Sequence, residues 1–138
     1  MKRVFVDSGG FFALLVAEDA SHRIADALFA RAVSDRWRLA TTNAVVFETY
    51  ALLVNRVRNG RELAVRFLDE LDNGFCHVHR VSPSDEKKAA DLLRAHKDKT
   101  YSFCDALAFV VMQRLRIKDA IAFDRHFREY GRFTMMEA

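Results

Sequence analysis

Four acids stand in segments that otherwise read as protein core. Asp7 interrupts the apolar stretch from Val4 to Ala17, and Glu48 interrupts Ala44 to Val54. Asp105 is the only charge between Phe103 and Met112, and Asp124 follows Ala120-Ile121-Ala122-Phe123. Most other acids sit in polar runs such as Asp69-Glu70-Leu71-Asp72, where a solvated helix face accounts for them. An isolated carboxylate in a core element demands a cation, a strong set of donors or a raised pKa, because burying it alone costs several kcal/mol. No Lys or Arg is spaced to pair Glu48 or Asp105 locally, so a shared hard cation such as Mg²⁺ is the economical answer: it takes a few carboxylate oxygens and keeps waters. Such a site activates water and screens a phosphodiester's charge. Without the ion, crowded carboxylates should hold a proton near neutral pH as a coupled set.

Each acid also has a plain structural reading. Ser102-x-x-Asp105 is a capping-box pattern, Asp7 suits an Asx-turn into Ser8-Gly9, and Asp124 suits the N-cap of a short helix. Glu48 has the weakest alternative, since a mid-helix Glu between Phe47 and Tyr50 gains nothing from capping. His126 reads more readily as a surface histidine than as a phosphate contact. Arg125, Arg128 and Arg132 read as a solvated charge run or as cations steering a polyanion. His77 and His79 share a strand face without a third ligand to make a zinc site, so solvent exposure is the better reading.

The elements that must position the acids follow from periodicity and turn chemistry. Val4-Phe5-Val6 is a strand that delivers Asp7 at its end, and after a loosening Ser8-Gly9-Gly10 a buried helix runs from Phe11 to Ala17. Ser21 caps a second helix. Trp37 to Thr41 is a second strand, whose exit at Thr42-Asn43 starts a helix from Ala44 to about Val57. Gly60 opens a helix through Leu63, Phe67 and Leu71, Cys76 to Val81 is a third strand, and Ser82-Pro83-Ser84 starts the next helix. Ser102 opens the most apolar helix, Ala120 to Phe123 is a fourth strand, and a short helix and a last strand near Phe133-Thr134 complete the chain. Strands separated by helices need crossovers, which predicts an α/β fold: a doubly wound, mainly parallel sheet of four to five strands with helices on both faces. Ligands bind such sheets beyond the carboxyl ends of the strands, where Asp7 and Asp124 fall.

Composition removes other classes. A chain of 138 residues predicts one domain over 1–138, and 51% hydrophobic with one Pro and five Gly is neither disordered nor fibrous. The glycines at 9, 10, 60, 74 and 131 spell no dinucleotide or P-loop fingerprint. Net charge of +3 does not by itself mark a nucleic-acid binder, although 16 of the 22 cations are Arg. Cys76 and Cys104 predict buried free thiols in a reducing cytoplasm, and no apolar run has membrane-spanning length. A phosphotransferase with Asp7 as nucleophile lacks the second acid of an Asp-x-Asp loop. A receiver domain would want an acidic pair after the first strand and an Asp after the third, where Ser82-Pro83-Ser84 stands, and retention of all four acids argues against a silent adaptor.

The ordered set resembles the PIN-domain family of metal-dependent ribonucleases, especially its bacterial VapC-type toxins. The likeness is carried by Val4-Phe5-Val6-Asp7-Ser8, Thr41-Thr42 followed by Glu48, Ser102-x-x-Asp105-Ala106, and Ala122-Phe123-Asp124-x-x-Phe127. It departs at Gly9-Gly10, where more helix-prone residues are usual. The resemblance implies Mg²⁺ or Mn²⁺ held by Asp7, Glu48, Asp105 and Asp124, and RNA cleaved by metal-activated water. It implies polar support from Ser8 or Ser102, a homodimer and a cognate antitoxin; Arg125 and His126, next to Asp124 in the chain, are the further candidates for touching the RNA, and no membrane partner is expected. Twelve Phe are many for this core, and Phe11, Phe12, Leu15, Phe29 and Phe47 are the expected groove for that antitoxin.

Overall fold

Val4, Phe5 and Val6 expose no surface, as expected of a strand covered on both faces. In the computed structural model, which describes residues 1–138, they belong to β1 (Arg3–Val6), the central strand of a five-stranded sheet. Its neighbours are β2 (Arg38–Thr42), β3 (His77–His79), β4 (Asp119–Ile121) and β5 (Thr134–Met135), in the order β3-β2-β1-β4-β5 with every pair parallel. Seven helices flank this sheet: α1 (Ser8–Leu15), α2 (His22–Ser34), α3 (Asn43–Arg56), α4 (Gly60–Asp72), α5 (Pro83–Ala95), α6 (Phe103–Leu115) and α7 (Arg125–Tyr130). The chain winds outward from β1 through β2 to β3, then returns to β4 and β5 on the other side. The strand order therefore switches between β1 and β4, and the crevice beyond their carboxyl ends is the expected ligand site. No helix is long and apolar enough to cross a membrane.

The first helix starts at Ser8, three residues earlier than its apolar run suggests, and takes in both glycines. Gly9 and Gly10 do not loosen the chain; Gly10 lets the helix ride against the sheet. A Cβ at Gly10 would stand 2.7 Å from the Ile121 carbonyl oxygen, whereas one at Gly9 meets nothing nearer than 3.9 Å. Gly10→Ala should accordingly cost about 2 kcal/mol by overpacking, while Gly9→Ala should be neutral or stabilise by up to about 1 kcal/mol. Thermal melts of the two variants check this, and equal behaviour would remove the close-approach argument.

Strand ends also differ from the sequence reading. Pairing with β2 stops at Thr42↔His79, and the Val81 N–H leaves the ladder to donate to Asn43 Oδ1 at 3.0 Å, which shortens β3. β4 ends at Ile121 because its carbonyl accepts the last ladder bond from Asp7 N–H at 3.1 Å, after which the chain of β1 turns into helix. Ser21 makes no side-chain cap; its N–H donates instead to Asp19 Oδ2 at 2.9 Å. Both cysteines are free, but only Cys76 is buried, its thiol pushed up to about 12 by burial, while Cys104 is partly covered. The five groove residues do not form one groove. Phe11 is fully buried and Phe29 nearly so, packed with Phe67 and Phe75, whereas Phe47 is 64% exposed on the outer side of α3. Adjacent helical residues diverge by about 100°, which sends Phe11 to the core and Phe12 to the cleft described next.

Candidate active site

Asp7 occupies the N-cap position of α1, yet its side chain makes no capping bond. It is 3% exposed, and Oδ1 has no hydrogen-bond partner although it is sealed from water. Burial raises its pKa to about 8, reinforced by the charges of Asp105, Glu48 and Asp124 and offset in part by the Ser8 backbone N–H. Desolvation, ahead of repulsion from the neighbouring acids, is the main cause of this rise.

The other three acids are held from separate elements. Glu48, in the second turn of α3, accepts a hydrogen bond from Ser8 Oγ at 2.9 Å. The thiol of Cys104 lies against the same carboxylate, and burial together with Glu48 pushes that thiol well above its ordinary range. Asp105 caps α6 reciprocally with Ser102: Ser102 Oγ accepts from Asp105 N–H and Asp105 Oδ2 accepts from Ser102 N–H, both at 3.0 Å. The capping reading is therefore correct for Ser102 and Asp105, and it coexists with a place in the site. Asp124 likewise caps α7 through His126 N–H at 2.8 Å, and at 45% side-chain exposure it stands at the rim and not in the core.

His126 is not a surface residue. Its side chain is 15% exposed, it meets Tyr101 edge-on at 5.5 Å, and Nδ1 lies 2.7 Å from Asp105 Oδ2. A carboxylate only accepts, so Nδ1 carries the proton and Nε2 is turned toward Thr100 Oγ1 at 3.5 Å. Arg125, by contrast, extends away, 75% exposed and 3.9 Å from Glu129, and does not line the cleft.

The four acids, Ser8, Ser102 and His126 share one cleft of about 440 Å³ at the carboxyl ends of β1 and β4. No three His, Cys, Asp or Glu side chains are gathered tightly enough to cage an ion by themselves. Sequence reasoning missed Arg56 and Asp19, which also line this cleft. Arg56 was findable, because Glu48, Leu52 and Arg56 fall at i, i+4 and i+8 on one helical face. Asp19 lies in the α1–α2 turn, where no periodicity marks it.

Residues 4–133 match the PIN domain family. The chain belongs to the PIN-domain family. Among its relatives, this PIN domain is 37% identical over 128 residues to the 23S rRNA-specific endonuclease VapC20 of Mycobacterium tuberculosis, across 93% of this chain and 94% of that one. It is 30% identical over 125 residues to a VapC ribonuclease of Archaeoglobus fulgidus, across 88% and 77% of the two chains. The crystal structure of M. tuberculosis VapC20, described as a sarcin-ricin loop cleaving toxin, aligns with a TM-score of 0.89 and 33% identity over 98% of this chain and 99% of that one. VapBC2 of Rickettsia felis, at 10% identity and a TM-score of 0.69 over 97% of each chain, shares the fold. The doubly wound parallel sheet expected from the sequence is thus the PIN fold.

Proposed function

We propose that this PIN domain is the ribonuclease toxin of a toxin–antitoxin pair. We further propose that it cuts RNA internally, using Mg²⁺ or Mn²⁺ held by Asp7, Glu48, Asp105 and Asp124. One observation carries the metal reading: Asp7 Oδ1 is buried without a donor, in a cleft shared with three other acids. A structural cap would have found its N–H, and a cation supplies the partner this oxygen lacks. The donor set is all hard oxygen, which suits Mg²⁺ or Mn²⁺. Because no trio closes on a point, an ion here would keep part of its water shell, as Mg²⁺ usually does. When bound, such a cation screens phosphodiester charge and acidifies an attacking water.

The protein's own groups set the rest. Ser8 fixes the direction of Glu48. Ser102 and His126 both occupy Oδ2 of Asp105, leaving its other oxygen for the cleft. Arg56 is the cleft's one guanidinium and is placed to meet a phosphate. Kinship with a 23S rRNA-specific endonuclease supports an RNA substrate, and a ribosomal RNA stem-loop is the first to try.

Labelled RNA should be cut only when Mg²⁺ or Mn²⁺ is present, leaving 5′-phosphate and 3′-hydroxyl ends. Cyclic 2′,3′-phosphate ends would instead assign attack to the RNA's own 2′-hydroxyl and overturn the mechanism. Expression of the chain alone should arrest growth, and co-expression of its genomic neighbour should restore it. Harmless overexpression of an RNA-cleaving protein would remove the toxin reading and leave the nuclease. The homodimer implied by the family is proposed with it; sedimentation showing only monomer at every concentration would exclude it.

A further inference from the structure

The cleft is a poor lure for a polyanion. Five carboxylates line it, counting Asp19, against Arg56 and His126. The net charge of +3 must therefore arise from cations elsewhere. A group of them collects at the opposite edge of the sheet, where the parallel strands begin. Arg3 of β1 is in register with Arg38 of β2, and Lys118 immediately precedes the β4 residue paired with Val4, so three exposed cations form one row across three adjacent strands. Like charges directly opposite each other on a sheet destabilise it, so folding alone does not ask for this row.

Two further arginines join the same rim from the turns that enter β2 and β4. Arg36 and Arg116 adopt left-handed backbone, with φ of 56° and 58°, where glycine or asparagine is the usual occupant. Some neighbouring cations have structural uses: Arg3 donates to the Leu115 carbonyl, Lys2 lies 4.0 Å from Asp119, and Arg31 lies 3.2 Å from Asp35. Arg36, Arg38, Arg116 and Lys118 are exposed and have no carboxylate partner. The rim is also connected to the cleft. Arg125 and Arg128 descend α7 from Asp124, and Arg132 follows just before β5, whose Thr134 N–H donates to the Lys118 carbonyl at 2.8 Å. Along β1 the two edges are only about 13 Å apart, from Arg3 to Asp7.

We propose that the basic rim at the strand N-termini is a second RNA-binding surface, gripping phosphates of a folded RNA whose scissile strand lies in the acidic cleft. This rests on the ribonuclease reading and adds to it where affinity comes from. Phosphate contacts of this kind carry no sequence information; they position the RNA and make binding salt-dependent.

The test uses Arg36→Gly, Arg38→Gln, Arg116→Gly and Lys118→Gln combined in the full chain. Glycine is at ease at both left-handed positions, so a folding defect is not expected there, and a thermal melt verifies it. Binding of a long ribosomal RNA stem-loop in EDTA, where cleavage is off, should weaken at least about tenfold, and the slope of log Kd against log salt should fall by about 3. Cleavage of a short single-stranded oligonucleotide, which reaches only the cleft, should be unchanged. A folded variant that binds the stem-loop with wild-type affinity and salt slope overturns the inference, as does one that loses only the antitoxin, which would assign the rim to a protein partner. If the wild type cleaves neither RNA, the ribonuclease reading fails instead, and the EDTA binding arm still judges the rim.

Discussion

Asp7→Asn should abolish RNA cleavage while making the metal-free protein more stable. The amide keeps the shape of the carboxylate but removes its charge, so cleavage should fall by at least about a thousandfold, the several kcal/mol a cation contributes to phosphodiester chemistry. The stability change has the opposite sign from a lost cap. Because burial raises the Asp7 pKa from 3.8 to about 8, the folded state binds the extra proton. Without metal, stability should be full below about pH 4, decline as pH rises and level off above about pH 8. The asparagine variant should be flat across that window and gain several kcal/mol at pH 8, read as a clear rise in Tm. Melts in EDTA at several pH values decide it: a variant that loses about 1 kcal/mol and keeps the wild-type pH slope would show Asp7 to be an ordinary helix cap.

Arg114→Leu is expected to have the largest effect on stability alone. Asp85, the third residue of the α5 capping box, is only 1% exposed, and the Arg114 guanidinium grips it through two bonds of 3.0 and 2.9 Å. Burial acts to raise the Asp85 pKa, but Arg114 and the Ser82 N–H outweigh it and hold the carboxyl below its usual value. Removing Arg114 leaves a sealed carboxylate without its cation. The loss should be about 2 kcal/mol, below the range for fully buried pairs because Arg114 is itself 43% exposed. The pH signature opposes that of Asp7: a depressed pKa supplies stability that is present above about pH 4 and lost as acid protonates the group. Arg114→Leu should therefore cost much less at pH 3 than at pH 7, with RNA cleavage preserved in whatever fraction stays folded. An equal cost at both pH values would assign the loss to packing of the arginine stem.

Much of this follows from order along the chain. Apolar runs broken by single acids were legible because a buried charge is expensive wherever the fold places it, and that cost singled out Asp7, Glu48, Asp105 and Asp124 before any geometry. Parallel pairing was legible too, since strands separated by helices have no shorter way to return. What remained hidden were contacts between residues distant in sequence. His126 reads as a surface side chain until α6 and α7 bring it within 2.7 Å of Asp105. Gly9-Gly10 reads as a break until β4 is placed beside it, when the clash at Ile121 turns Gly10 into a packing requirement. The Phe11 and Phe29 rings read as a docking surface until α1, α2 and α4 close over them. The basic rim is the same kind of feature: Arg38, Arg3 and Lys118 are remote in the chain, and only strand register sets them in one row. Local chemistry sets which residues are costly to bury, but which of them meet depends on long-range packing, and tertiary structure alone decides that.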